Sequence, residues 1–279
     1  MNTKTIPDVR FRTVDGVRIR SADSGGSHEQ TILLTSPWPE SLYAFTPVWP
    51  ALADHARLVA VDLPNFGGSH GRDDLLSPWA MGDFLARLVV EADLGRPFVV
   101  GPDVGTPAAL FAAAAHPELF AGLVIGGGGT AYPLQLVEPL ASWVLDPDLD
   151  RYRTVDPHLV VNTAVDNHAG HIPDDIRADY LASYEGDRFV ESMRYVRRYP
   201  EELPVLAGLL PHLQVPVTVL AGRRDHVVPL ANATYVADRV PVSHTVVLDA
   251  GHFLWEEVPD QYAAAVLDAF QTTSGRGQH

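Results

Sequence analysis

The chain has 279 residues, with 20 Lys and Arg against 35 Asp and Glu, a formal net charge of −15. At 46% hydrophobic it can bury a large core, which excludes a disordered chain, and its acidic balance argues against nucleic acid and anionic membranes, both of which demand clustered positive charge. It contains no cysteine, which excludes disulfide frameworks, thiolate metal sites and thiol nucleophiles, and suits a reducing compartment.

The first residues, MNTKTIPDVRFRTVDG, lack the apolar core of a signal peptide, and no run approaches the roughly 20 apolar residues that span a bilayer. A cytoplasmic protein with a hydrophobic small-molecule partner is expected, without membrane or nucleic acid; a homodimer is compatible with this reading. Val9, Phe11 and Val14 alternate before Asp15-Gly16, and Val17 and Ile19 after it, which predicts an antiparallel hairpin closed by a primed turn. Short continuous apolar runs follow at Ile32–Leu34, Leu58–Val61, Phe98–Val100, Leu123–Ile125, Val217–Leu220 and Thr245–Leu248, the pattern of strands covered on both faces. Helical stretches lie between and after them at Leu42–His55, Pro78–Leu94, Thr106–His116, Leu230–Val240 and Pro259–Thr272. Strand–helix alternation of this kind predicts an α/β, doubly wound, mostly parallel sheet with helices on both faces.

Residues 130–210 break the alternation, with scattered aromatics, prolines and histidines and no clear buried strand. They are expected to form a helical lid after the sixth strand, over a core made of residues 1–129 and 211–279. The tail after Ser274 is expected to be disordered.

The chemistry concentrates at Gly101-Pro102-Asp103-Val104-Gly105, where an apolar strand runs into a small-x-acid-x-small pentapeptide and then a helix. The two glycines permit a sharp strand-to-helix turn that pushes the middle residue, Asp103, into a site. A carboxylate there faces the positive end of a helix dipole, stays ionised and can attack carbon.

These residues resemble the α/β-hydrolase superfamily, in particular the branch with an aspartate nucleophile that includes epoxide hydrolases and haloalkane and fluoroacetate dehalogenases. The resemblance covers nearly the whole chain. It implies that Asp225, in Ala221-Gly-Arg-Arg-Asp225-His-Val-Val-Pro229, is the acid, and that His252, in Gly251-His252-Phe-Leu-Trp, is the catalytic histidine. The order nucleophile, acid, histidine is the order of that fold. Chemically, His252 steered by Asp225 can take a proton from water that cleaves an Asp103 ester. Asp249 and Asp62, at other strand ends, are the rival acids.

The superfamily's His-Gly-x-Pro stands here as Ser36-Pro37-Trp38-Pro39-Glu40, so the N–H groups of Trp38 and Val104 are the expected oxyanion pocket, and the Trp38 indole is a further donor. Haloalkane dehalogenases place Trp after the nucleophile; this chain has Val104. Epoxide hydrolases use lid tyrosines as proton donors, and Tyr195 or Tyr199 would fill that role. Gly126–Gly129 lacks the spacing of a phosphate cradle, and His168-Ala-Gly-His171 reads as a solvated loop, so neither a metal nor a cofactor is expected. The implied function is hydrolysis of a hydrophobic molecule through an Asp103 ester, with epoxide opening ahead of dehalogenation. The alternative is a cofactor-independent oxygenase, cyclase or carbon–carbon bond-forming enzyme that uses His252 as base on an aromatic natural product. A ligand receptor with a vestigial triad is a third reading.

Overall fold

In the computed structural model, which describes Ile6, residues 9–168 and residues 170–276, the opening hairpin consists of β1 (Arg10–Val14) and β2 (Val17–Asp23), paired antiparallel. Asp15 and Gly16 both have positive φ, 48° and 75°, the primed turn whose twist matches that of the strands. The continuous apolar runs become β3 (Thr31–Thr35), β4 (Arg57–Val61), β5 (Phe98–Pro102), β6 (Gly122–Gly126), β7 (Val217–Gly222) and β8 (Ser243–Leu248). They form an eight-stranded sheet ordered β1-β2-β4-β3-β5-β6-β7-β8. β2 is antiparallel to β4, and the pairs from β4 across to β8 are parallel. Every residue of β3, β5 and β6 is buried, which is why these strands read as apolar runs and not as alternation.

The helices cover both faces. α2 (Pro78–Glu91) packs on α3 (Gly105–Ala115), α1 (Trp49–Ala53) and α10 (Leu254–Glu257) pack on the last helix, α11 (Pro259–Arg276), and α9 (Ala231–Ala237) packs on β7 and β8. The stretch predicted as one helix over 42–55 is two pieces, a 3₁₀ turn at Leu42–Phe45 and then α1. Pro47 and Pro50 each lack the N–H that a continuous helix would need there. The last helix runs on to Arg276, past the expected end of order at Ser274, and residues 277–279 lie outside the described residues.

Between β6 and β7 lie α4 (Leu140–Leu145), a 3₁₀ turn (Asp150–Thr154), α5 (Pro157–His168), α6 (Asp174–Ser183), α7 (Arg188–Val196) and α8 (Tyr199–Leu209). α7 turns Phe189, Val190, Ser192, Met193, Tyr195 and Val196 inward, and its arginines outward or half outward. An ion-pair triad ties this segment to the sheet. Arg20 of β2 donates to Asp62 beyond β4 at 2.5 Å and, through two nitrogens, to Asp179 of α6 at 2.8 Å each. Asp62 also accepts the Leu42 and Gly68 N–H groups, at 2.7 and 2.8 Å. Buried and filled with donors, it is a structural carboxylate, which removes one rival acid. Asp249, the other, is exposed and paired with Arg224. Among the described residues no helix is long and apolar enough to cross a membrane.

Candidate active site

The chain turns sharply between β5 and α3, and Asp103 takes the apex with φ of +50°, a left-handed conformation that is strained for a side chain other than glycine. Its surroundings hold it there. The Asp103 N–H donates to the Gly126 carbonyl at 2.8 Å, and the Asp103 carbonyl accepts the Thr106 N–H at 2.9 Å. The Thr106 hydroxyl donates to the Gly101 carbonyl at 2.9 Å and accepts the Gly126 N–H at 3.0 Å. A Cβ on Gly101 would come within 2.9 Å of the Gly105 carbonyl oxygen, and one on Gly105 would collide with the Thr35 hydroxyl. Both glycines of the pentapeptide are therefore required by close approach.

The Trp38 N–H, just past β3, donates to Asp103 Oδ2 at 2.6 Å, and the Val104 N–H also reaches this carboxylate. The expected oxyanion donors thus converge on Asp103. Burial pushes the Asp103 carboxyl up to about 6, although His252 and the two N–H groups pull it back. Asp103 is therefore less acidic than its place at a helix start suggests, yet mostly ionised at neutral pH.

His252, on the turn after β8, hydrogen-bonds through Nδ1 to Asp225 Oδ2 at 2.8 Å, and Asp225 lies on the turn after β7. Asp225 Oδ1 accepts the Val227 and Val228 N–H groups at 2.8 and 2.9 Å. Burial alone would raise the Asp225 carboxyl, but His252 and these donors hold it below the usual range. Burial likewise opposes the imidazolium, yet Asp225, and beyond it Asp103 and Glu257, carry His252 above its ordinary value. Asp225 is thus fixed and ionised, and it orients the imidazole through Nδ1.

Asp103 and His252 share a cavity of about 620 Å³ with walls that include Trp38, Leu140, Trp143, Phe189, Val227 and Phe253. Its polar lining is sparse: Glu138, Thr163, Asn167 and His226. α5 contributes Leu159, Val160, Thr163, Ala164 and Asn167, one helical face by its three- and four-residue spacing. That spacing was present in the sequence and marks the face that the aromatic count of residues 130–210 did not single out.

Three expected donors are placed differently. The Trp38 indole N–H donates at 2.8 Å to Ser192 of α7, a buried partner that no motif marked, so it is not directed at a ligand. Tyr195 and Tyr199 are buried and absent from the cavity lining. The Tyr195 hydroxyl donates to the Val104 carbonyl at 2.7 Å, and the Tyr199 ring packs against Gly129. Helical spacing puts both on the inward face of their helices, where Tyr195 braces the Asp103 turn at Val104 and Tyr199 packs against Gly129, neither lining the cavity. His168 closes α5, and among the described residues no group of His, Asp or Glu is arranged to hold a metal ion.

A match to the alpha/beta hydrolase fold family runs over residues 30–259, from the strand before Trp38 to the start of the helix after His252, and the chain belongs to that family. It is 25% identical over 278 residues, 90% of either chain, to a 2-hydroxy-6-oxononadienedioate/2-hydroxy-6-oxononatrienedioate hydrolase of Burkholderia vietnamiensis. It is 29% identical over 249 residues, 86% of this chain and 94% of the other, to a pimeloyl-[acyl-carrier protein] methyl ester esterase of Xanthomonas campestris. The crystal structure of Cfl2 from Burkholderia cenocepacia is similar with a TM-score of 0.79 and 26% identity, over 93% of this chain and 94% of that one.

Proposed function

We propose that this chain is a hydrolase that attacks a saturated, electrophilic carbon of a hydrophobic small molecule through an ester on Asp103, with epoxides ahead of alkyl halides. The observation that carries this reading is the Asp103 carboxylate itself, strained into the cavity, with Oδ2 held by the Trp38 N–H and the His252–Asp225 pair beside it. A carboxylate that attacked an acyl carbon would make an anhydride, no more stable than the substrate. Attack on a saturated carbon makes an ordinary ester, which a second step can hydrolyse.

In the first step an Asp103 oxygen bonds to carbon, the carbon–oxygen or carbon–halogen bond breaks, and the electron pair leaves with oxygen or halide. In the second, neutral His252 takes a proton from water, and the hydroxide adds to the Asp103 carboxyl carbon. The developing oxyanion lies where Trp38 and Val104 already direct their N–H groups. Collapse releases the alcohol and restores the carboxylate, and the proton held by His252 passes to the alkoxide of the opened epoxide or, where a halide has left, to solvent. Epoxides come ahead because halide capture needs converging N–H donors, and the Trp38 indole is bound to Ser192 while Val104 stands in the other position. Thr163, Asn167 and His226 supply hydrogen-bond donors to the cavity for an opening epoxide oxygen. α4, α5 and α7 line the cavity, which supports reading residues 130–210 as a lid on the core formed by 1–129 and 211–279.

The test is a limiting turnover of aryl and alkyl epoxides in heavy-oxygen water. The ester route puts the first heavy oxygen into the Asp103 peptide and leaves the first diol unlabelled from solvent; direct attack of water on the epoxide labels the diol at once. A second reading, cofactor-independent base chemistry by His252, draws on the engagement of two expected donors, the Trp38 indole N–H and the lid-side Tyr195 hydroxyl, with protein atoms. Under it an Asp103→Asn variant remains active on aromatic substrates while His252→Ala does not; under the ester route both lose turnover.

A further inference from the structure

Glu40, two residues beyond Trp38, and Glu256, four residues beyond His252, are both buried, with 0% and 8% exposure. Each has one oxygen filled. The Trp255 indole N–H donates to Glu40 Oε2 at 3.0 Å, and the Tyr180 hydroxyl of α6 donates to Glu256 Oε1 at 2.8 Å. The remaining oxygens, Glu40 Oε1 and Glu256 Oε2, are buried with no N–H or O–H partner from another residue. The two carboxyl groups lie within hydrogen-bonding reach of each other. Two ionised carboxylates can only accept, so this contact is a hydrogen bond only if one of them carries a proton.

The geometry points to a carboxyl–carboxylate pair, Glu40 and Glu256 sharing one proton, that clasps the oxyanion turn to the histidine turn and to α6, and so positions Trp38 against Asp103 and His252. Each partner sits on an element that the chemistry uses. The Tyr184 hydroxyl donates to the Glu40 carbonyl at 3.0 Å, fixing the backbone behind Trp38. The Trp255 ring meets the His252 ring edge-on, with centroids 6.5 Å apart. Around the pair, the other carboxylates are Asp103 near Glu40 and Glu257 near Glu256, both of which oppose a second negative charge. The cation that acts on Glu256 is Arg177, which favours its ionised form but is itself hydrogen-bonded to Asn162 and Asp166. Burial first, and then the mutual repulsion, hold the shared proton well above the ordinary carboxyl range.

The positioning role rests on the Asp103 ester proposed above, whereas the shared proton does not, and the measurements separate the two. Infrared spectra of the wild-type protein at about pH 8, above the Asp103 carboxyl at about 6, are expected to show a protonated-carboxyl stretch that shifts in deuterium oxide. The stretch is lost in Glu40→Gln and in Glu256→Gln, where the amide supplies the donor instead. Folding should report the same proton. The folded pair binds it more tightly than the unfolded chain, so wild-type stability falls as pH rises from the ordinary value of 4.5 to the folded value. Over that window the wild-type unfolding constant rises by up to about tenfold per pH unit relative to Glu256→Gln. For positioning, the rate of Asp103 ester formation in the wild type falls at alkaline pH as the pair separates, and this limb is absent from the Gln variants. No protonated-carboxyl stretch in the wild type, or its survival in both variants, overturns the shared proton. Identical alkaline limbs in wild type and variants overturn the positioning role, even if the proton is there. If no substrate forms an ester at all, the stretch and the stability slope still decide the shared proton, and the positioning role falls with the ester.

Discussion

The Trp38 N–H donates to Asp103 Oδ2 at 2.6 Å, so one carboxylate oxygen of Asp103 already occupies the place where an oxyanion would form on the proposed ester. With the Val104 N–H on the same carboxylate, the same donors would serve both steps of an ester mechanism. The pH dependence of each step then follows from a different group. Ester formation needs ionised Asp103, whose carboxyl is raised to about 6, so its single-turnover rate should fall about tenfold per unit below that pH. Ester breakdown needs neutral His252, whose imidazole is held above its ordinary 6.5, so it should reach its plateau at higher pH than formation does. Rapid-quench measurement of the two rates across pH tests this order; a formation step with its midpoint above that of breakdown contradicts it.

Asp225→Asn keeps the shape of the acid but removes the charge that holds the imidazolium and sets the tautomer at Nδ1. The His252 pKa should drop, and ester breakdown should slow by about 100- to 10,000-fold, the range for loss of positioned acid–base catalysis, while the ester still forms. An imidazole NMR titration together with rapid-quench rates measures both effects.

Arg20→Ala makes the opposite distinction. It strips the buried Asp62 of its cation while leaving the cavity lining intact, which should cost about 3–5 kcal/mol of stability in chemical denaturation. Activity per folded molecule should be retained. If Asp62 and not Asp225 were the acid, this variant would lose turnover at low denaturant, where it is folded.

Ser192→Ala removes the acceptor of the Trp38 indole N–H inside a buried cluster where Trp38 stacks on Phe189 at 5.3 Å. Leaving that donor unsatisfied should cost about 1–3 kcal/mol, read as a lower denaturation midpoint with an unchanged slope. No loss of stability would mean that the indole finds another acceptor on the cavity side.

The sheet was legible because its strands are buried on both faces, so Ile32–Leu34, Phe98–Val100 and Leu123–Ile125 stand out as uninterrupted apolar runs, and the hairpin because Asp15-Gly16 is turn chemistry. The cluster of Asp103, Asp225 and His252 was legible for a local reason: each sits on a turn just after such a run, where Gly101 and Gly105, Gly222 and Gly251 leave no room for a side chain. The settings of Tyr195 and of the Trp38 indole were not. Whether Tyr195 points at a substrate or at the Val104 carbonyl depends on how α7 is rotated against the nucleophile turn, and Trp38 finds Ser192 across 154 positions of sequence. Glu40 and Glu256 are likewise 216 positions apart in the chain (256 − 40). Such contacts are set by packing of the inserted helices, which no short motif encodes.

The central claim is that Asp103 becomes an ester, and intact-protein mass spectrometry of a His252→Ala variant tests it most directly. Incubated with a panel of epoxides, alkyl halides and fluoroacetate, the variant lacks the base for the second step and should accumulate a stoichiometric adduct. Peptide mapping should place it on Asp103, and its mass should correspond to the whole epoxide or to the halide less hydrogen halide. A folded variant that remains unmodified by substrates the wild type turns over would contradict the covalent route and leave His252 as the base of a different reaction.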